Sequence, residues 1–420
     1  MHIELLIWCV MKPRYKIYVY PIKFLRTFFQ SLFTRGHIIN SNFESKFNKF
    51  LKSNNALFVN QARIGVFLTM KSIITKTGKP QVILSPYTIA DVINMVILAG
   101  GEPIFVDIEV ETCNINPNLI EENITENCSA ILVTHLHGRM CNMKAVKEIA
   151  DKHNLYLIED SAQSFGAKQD EQFAGTIGDV GIFSFGLYKN VSSVYGGAVV
   201  SKNEELFKLI NEIHSDFDKF NLIWYLKKLL KGLMIMLATS NFLFRPVILP
   251  IIKFGYYKNI KFINKFVETE LDVSRKTELP KIYLTKPSKF QIHLATESLQ
   301  KVITDQEVRM EFAKLYQQNL ETIPELYFED NTKEEDNSYT YFPIYLNNME
   351  KLRRYLIMNN IDVGPQHYKN TAHLESFREF YKLCPIAEEV SKNLLLLPTY
   401  PRYGKKNVIK IIETVRKFYE

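Results

Sequence analysis

Cysteine is scarce in this chain: five residues in 420, at Cys9, Cys113, Cys128, Cys141 and Cys384, an odd number with no C-x-x-C pair. That excludes a disulfide-built scaffold and suits free thiols in a reducing compartment. Glycine (17) and proline (16) are too few for a collagen-like or low-complexity chain. Long uncharged runs are missing as well. Within residues 221–267, the most apolar part, the longest is Gly232–Phe244, short of the about 18 to 20 residues of a membrane span. Leu5–Met11 is not read as a signal peptide: it is short, follows Glu4, and has its positive charges after it. His135, His137 and Cys141 are close in sequence, but nothing completes a tetrahedral set, so no metal site is expected.

What is present is the composition of an ordinary globular protein, 46% apolar and 23% charged, with length for two to three domains. Aromatics reach 13%, with 29 Phe and 22 Tyr, a hint of extra apolar surface. The net charge of +7 is unevenly placed. Residues 221–267 hold eight Lys and Arg and no acid; residues 1–35 hold six against Glu4 alone. The remainder of the chain is net acidic at −6. Basic charge confined to two apolar segments suits a membrane surface better than nucleic acid, which needs Lys and Arg spread over the folded body. No nucleic-acid partner is expected.

From about residue 55 to 217, short apolar runs alternate with helical patterns. Ala62–Thr75 reads as a helix closed by Gly78, Gln81–Ser85 as a strand and Thr88–Ala99 as a helix. Strand Pro103–Val106, helix Pro117–Ile124, strand Ala130–Thr134, helix Met143–Lys152 and strand Leu155–Ile158 follow. Gly181–Phe185 and Ala198–Ser201 are two more strands, before helix Asn203–Phe217. This is the pattern of an α/β fold with a mostly parallel sheet covered on both faces. The tail reads as a smaller α+β unit. It has helices at Phe290–Asp305, Glu307–Ile323, Met349–Asn359, Ile386–Leu395 and Lys406–Phe418, and extended segments at Thr340–Tyr345 and Ile361–Gly364.

In open parallel sheets the ligand lies beyond the carboxyl ends of the strands. Three polar groups fall there: Asp160 with Gln163 after Leu155–Ile158, Ser184 to Asn190 at the end of Gly181–Phe185, and His135 after Ala130–Thr134. Lys189 lies between a buried strand and Gly196-Gly197. If desolvated, its amine is reactive and suited to a Schiff base; otherwise it is a surface lysine in a turn. Spacing alone leaves the two readings level.

The run Leu157-Ile158-Glu159-Asp160-Ser161-Ala162-Gln163-Ser164-Phe165-Gly166 is followed by Gly178-Asp179-Val180-Gly181-Ile182-Phe183-Ser184-Phe185 and Tyr188-Lys189-Asn190. With Gly196-Gly197-Ala198-Val199-Val200 and Leu397-Pro398-Thr399-Tyr400-Pro401, it resembles the DegT/DnrJ/EryC1/StrS family of pyridoxal-phosphate sugar aminotransferases. The resemblance covers roughly residues 35–217 and 281–420. It implies an aspartate-aminotransferase-like fold (type I), with a large domain at 36–220 and a small C-terminal α+β domain with its connecting helix at 268–420. Residues 1–35 and the insert 221–267 lie outside it.

The resemblance also implies roles. Lys189 would carry pyridoxal 5'-phosphate on its amine and shuttle a proton, and Asp160 would keep the pyridine nitrogen protonated. Gln163 would lie against the ring, Ser184 would donate to the phosphate, and Asn190, next to the lysine, would also bind the cofactor. Where the family has a Ser-Gly-Thr phosphate loop, this chain has Gln61-Ala62-Arg63, so the helix start and an Arg63 charge-assisted bond are expected to hold the phosphate. Ile89 stands where an aromatic often stacks on the ring, Tyr195 replaces the Glu before the Gly-Gly pair, and Leu284-Thr285-Lys286 replaces an Asn-Tyr-Arg segment. The implied activity is amino transfer, from glutamate, to a nucleotide-linked keto sugar for surface polysaccharide or glycan synthesis, by a homodimer. For the insert two readings stay open: a peripheral contact at the inner face of the membrane of a cytoplasmic protein, and a helical element packed on the body or on a partner subunit. Two rivals are a non-catalytic interaction protein on a degenerate aminotransferase scaffold and a related sugar dehydratase, in which the lysine is replaced.

Overall fold

The alternating pattern becomes a seven-stranded sheet in the computed structural model, which describes residues 12–17, 19, 21–260, 262–263, 273–328, 337–365 and 368–420. Its strands are β1 (Ala56–Val59), β2 (Gln81–Leu84), β3 (Glu102–Phe105), β4 (Cys128–Thr134), β5 (Tyr156–Asp160), β6 (Val180–Ser184) and β7 (Gly197–Ser201), in the order β1-β7-β6-β5-β4-β2-β3. The pairings among β2 to β6 are parallel, and β7 runs antiparallel between β6 and β1. All seven residues of β4 are buried, as a strand covered on both faces requires.

Helix Ala62–Thr77 crosses one face and ends at Gly78 in the left-handed region (φ 70°). It packs so closely that a Cβ on its Gly65 would come within 2.8 Å of the Val199 side chain in β7. On the other face, Met143 and Val146 of helix Met143–Lys152 bury against Ile131, Val133 and Leu157. The C-terminal part builds a second, antiparallel sheet from Tyr341–Tyr345, Leu394–Pro398 and Gly364–Pro365, covered by helices Val302–Leu320, Met349–Met358 and Lys405–Tyr419. The α/β fold class and the smaller α+β unit stand as expected.

Several elements differ from the sequence reading. Pro117–Ile124 is two short 3-10 turns, Pro117–Leu119 and Glu121–Asn123, not one helix. Helix Phe290–Asp305 is broken by the turn Leu299–Lys301, and its second half belongs to Val302–Leu320. Thr88 starts no helix: Tyr87–Thr88 pairs with Lys369–Asn370, and the helix begins at Ala90. Leu394 and Leu395 leave helix Pro385–Asn393 for a strand, because burial between Tyr341–Tyr345 and Gly364–Pro365 outweighs leucine's helix preference. Strand β1 and helices Pro21–Phe33 and Gly36–Leu51 were not anticipated.

The insert is helical over Leu222–Ala238 and Leu249–Tyr257, with a short helical stretch and a π turn between. Residues 261 and 264–267 lie outside the described residues. Among the described residues no single helix is long and apolar enough to cross a membrane; Leu222–Ala238 with Asn241–Tyr257 passes by length and composition only as a pair bent by 53°. The two basic, apolar segments meet: Phe24 of helix Pro21–Phe33 and Tyr225 of the insert both pack on Phe290, at ring-centroid distances of 5.0 and 6.3 Å.

Candidate active site

Asp160 ends β5 and Ser184 ends β6, and their parallel register places Asp160 opposite Ile182 and Thr134. The segment after β6 closes on itself: Phe185 N donates to Gly196 O at 2.9 Å and Ser193 N to Phe185 O at 2.8 Å. This closed turn returns Lys189 to the strand ends. Lys189, Asp160, Ser184, Ala62, Arg63 and Ile89 all line one cavity of about 1020 Å³. Six of the eight predicted residues, drawn from four chain segments, are therefore brought together.

Burial pushes the Lys189 amine from 10.5 down to about 8, with the Asp160 charge opposing. Burial also raises the Asp160 carboxyl, while the Ala162 N–H, which donates to its Oδ1 at 3.0 Å, and Lys189 pull it down. Of the two readings left level by spacing, the fold matches the desolvated lysine: Lys189 lines the cavity and burial lowers its amine.

Beneath this pair lies Glu159, fully buried. Burial disfavours its charge, but His135 and the backbone donors around it hold its carboxyl below the usual range. Gly175 N, Ile177 N and Gly178 N donate to it at 2.8, 2.7 and 2.6 Å, and His135 Nε2 lies 3.0 Å away. His135 Nδ1 accepts from Cys141 N at 3.1 Å, so the ring proton is on Nε2 and points at Glu159. These bonds fix the end of β5 and hence the direction of Asp160.

Gln163 and Asn190 are not among the residues that line the cavity. Gln163 accepts from His137 N at 2.9 Å and donates to the Tyr368 hydroxyl. Asn190 turns its amide to Phe165 O, at 3.4 Å. Arg63 lines the cavity, yet its guanidinium is paired with the Asp91 carboxylate and bonded to Tyr283 Oη at 3.0 Å. The phosphate-binding capacity here is in the helix start itself. Gln61 caps Ala62–Thr77 with no side-chain bond, no acid stands in the first turn, and Gln61, Ala62 and Arg63 face the cavity. A Cβ at Gly197 would lie 2.7 Å from both Ala62 N and Cα, so glycine there lets β7 approach that helix start.

Three contributors to the cavity were missed. Arg14 reaches it from the N-terminal segment, held by Asp362 of the C-terminal part through backbone N (2.9 Å) and Nε (3.2 Å). Tyr195, noted only as a departure from the family, lines the wall. So do Lys231, Ile235, Phe244, Ile248 and Ile252 of the insert. No sequence pattern links a residue to a cavity built some forty positions upstream, so no local signal pointed to them.

The chain matches the DegT/DnrJ/EryC1/StrS aminotransferase family over residues 23–217 and 283–416. It belongs to that family. The unmatched residues between these spans contain the insert. GDP-perosamine synthase of Escherichia coli O157:H7 is 26% identical over 387 residues, covering 90% of each chain. Among solved structures, Helicobacter pylori PseC, an aminotransferase involved in the biosynthesis of pseudoaminic acid, superposes with a TM-score of 0.74 at 17% identity, covering 97% of this chain and 99% of its own. The GDP-4-keto-6-deoxy-D-mannose-3-dehydratase of E coli, with bound hydrated PLP, gives 0.73 at 18% identity, covering 96% and 99%. These two establish the shared fold.

The enzyme is a pyridoxal-phosphate-dependent sugar aminotransferase. The cavity fits that cofactor: a desolvated amine, a buried carboxylate and an uncapped helix start face one space.

Proposed function

We propose that this enzyme moves an amino group from glutamate to a keto sugar carried on a nucleotide, for surface polysaccharide or glycan synthesis, and that it works as a homodimer at the inner face of a membrane. The observation that carries the reading is Lys189, its amine lowered to about 8 in the same cavity as Asp160. When bound, pyridoxal phosphate supplies an electron sink that makes the carbon bearing the amino group acidic. The Lys189 amine anchors the cofactor, then takes a proton from one carbon and returns it to another at Nζ. Asp160 holds the proton on the ring nitrogen. Backbone N–H groups of Ala62 and Arg63, with Ser184 Oγ, hold the phosphate, and Ile89 packs on the ring. Gln163 and Asn190 act from behind, as positioning residues.

The nucleotide-linked acceptor is supported by the name of the 26% identical relative, GDP-perosamine synthase. Membrane contact is supported by exposed apolar side chains on the insert, among them Ile223 and Phe242, in a segment with no acid. Lys189 and Asp160 on one cavity lining support a catalytic over a non-catalytic scaffold, and Lys189 opposes a dehydratase. The test is glutamate-dependent amination of a panel of nucleotide-linked keto sugars by the purified holoenzyme. At least one is expected to yield an amino sugar with equimolar 2-oxoglutarate; turnover of none would overturn the reading.

A further inference from the structure

The lining of the catalytic cavity is of two kinds. Asp160, Ser184 and Lys189 are polar; Ile235, Ala238, Phe244, Ile248 and Ile252, all from the insert, form an apolar wall. At about 1020 Å³ the cavity is at the upper end of the range for a ligand site, more room than a cofactor and one sugar require. Lys231, also from the insert, lines the same cavity. One turn earlier is Lys228, 4.6 Å above the ring of Tyr195, which also lines the cavity.

The same helices carry a second apolar face outside. Ile223, Leu226, Leu230, Met234 and Leu237 follow one side of Leu222–Ala238 at helical spacing, and all are exposed. An isologous interface centred on this face would bring Lys227 of one copy toward Lys227 of the other with no acid on the helix to offset them, so a second copy is a poor occupant. An anionic bilayer complements it in both charge and apolarity.

Resting on the aminotransferase reading above, we propose that the acceptor site also admits a keto sugar whose diphosphate bears an isoprenoid chain in place of a nucleoside, presented from a membrane. The sugar carbonyl lies at Lys189, the diphosphate against Lys231 and Lys228, and the chain runs along the wall of Ile235, Ile248 and Ile252 toward the exposed face. The transfer balances within itself. The sugar C=O becomes CH–NH₃⁺ while the glutamate CH–NH₃⁺ becomes the C=O of 2-oxoglutarate. Water released in one half is consumed in the other, and no outside oxidant or reductant enters.

The test measures binding of farnesyl diphosphate, UDP and inorganic diphosphate to the holoenzyme by calorimetry. Farnesyl diphosphate is expected to bind at least tenfold more tightly than inorganic diphosphate, and Ile235→Asp to remove most of that advantage. Should Ile235→Asp fail to fold by circular dichroism, Ile252→Asp on the second helix carries the same measurement. Farnesyl diphosphate binding no better than inorganic diphosphate, or equally well in a folded wall variant, overturns the proposal. A tenfold advantage for UDP alone assigns the wall to a nucleoside and also overturns it. In parallel, loss of the cofactor's visible band on adding glutamate to the wild-type holoenzyme reads the donor half-reaction. Its failure sinks the glutamate-dependent function proposed above without touching the binding result.

Discussion

Arg63 stands at the start of the helix that faces the cofactor site, yet its guanidinium is paired with Asp91, whose carboxylate also takes the Lys276 ammonium. In the proposed function the phosphate is therefore left to backbone donors and Ser184 Oγ. Arg63→Ala is expected to cost less than the about 1.5 kcal/mol that marks loss of a hydrogen bond to a charged group. Titration of apo-protein with pyridoxal phosphate measures it. A loss of about 1.5 to 3 kcal/mol would show that Arg63 leaves Asp91 for the phosphate.

Lys189→Ala is expected to keep the fold while the cofactor's visible band and turnover disappear, since Lys189 is the amine proposed to anchor the cofactor and shuttle the proton. Asp160→Asn should retain cofactor and slow turnover by about 10²-fold or more, because the ring nitrogen loses its charged partner. Comparable turnover in either variant, measured by 2-oxoglutarate release, removes that residue from the chemistry.

Cofactor capture by apo-protein should follow the neutral fraction of Lys189, whose amine burial lowers to about 8. The rate should climb about tenfold from pH 6 to 7 and flatten above 8. Asp160 raises the Lys189 value, so Asp160→Asn should move the plateau to lower pH. The stability sign follows the same titration. The unfolded amine keeps its proton to about 10.5 and the folded one only to about 8, so the unfolded state binds more protons between these values. This group's contribution to stability therefore rises with pH across that window, and the cost of the buried ammonium persists below it. Unfolding midpoints of wild type and Lys189→Met, compared at pH 7.5 and 9.5, check it. A wild-type midpoint that gains nothing on Lys189→Met over that interval contradicts a lowered amine.

The full chain should sediment with anionic vesicles, with each engaged Lys or Arg worth about 1 kcal/mol. Binding should weaken at high salt without vanishing, because apolar burial is not screened. A Leu226→Glu, Leu230→Glu pair, on the exposed side of the insert, should reduce it at every salt concentration. A chain that ignores anionic vesicles at low ionic strength makes the insert a packing element.

Local chemistry was sufficient for much of this fold. Gly78 is a left-handed cap wherever a helix ends on it, and helix Met143–Lys152 has the bounds that its apolar spacing predicts. Asp160, Ser184 and Lys189 were legible because strand ends in a parallel sheet face one side, so short spacings along the chain become proximity in space. The strand Leu394–Pro398 was not, since four successive leucines suit a buried helix or strand equally and only their neighbours Tyr341–Tyr345 and Gly364–Pro365 decide.

By itself the sequence determined the α/β class, the placement of Asp160, Ser184 and Lys189 at strand ends, and the concentration of basic charge in two apolar segments. All of these rest on interactions within a few residues or on composition. Tertiary structure alone decided that Arg63 spends its charge on Asp91, that Asn190 faces Phe165 O, and that the insert walls the catalytic cavity. Each depends on which distant side chain arrives beside it. A guanidinium binds the nearest carboxylate and an apolar helix the nearest apolar surface, and the folded chain sets which those are.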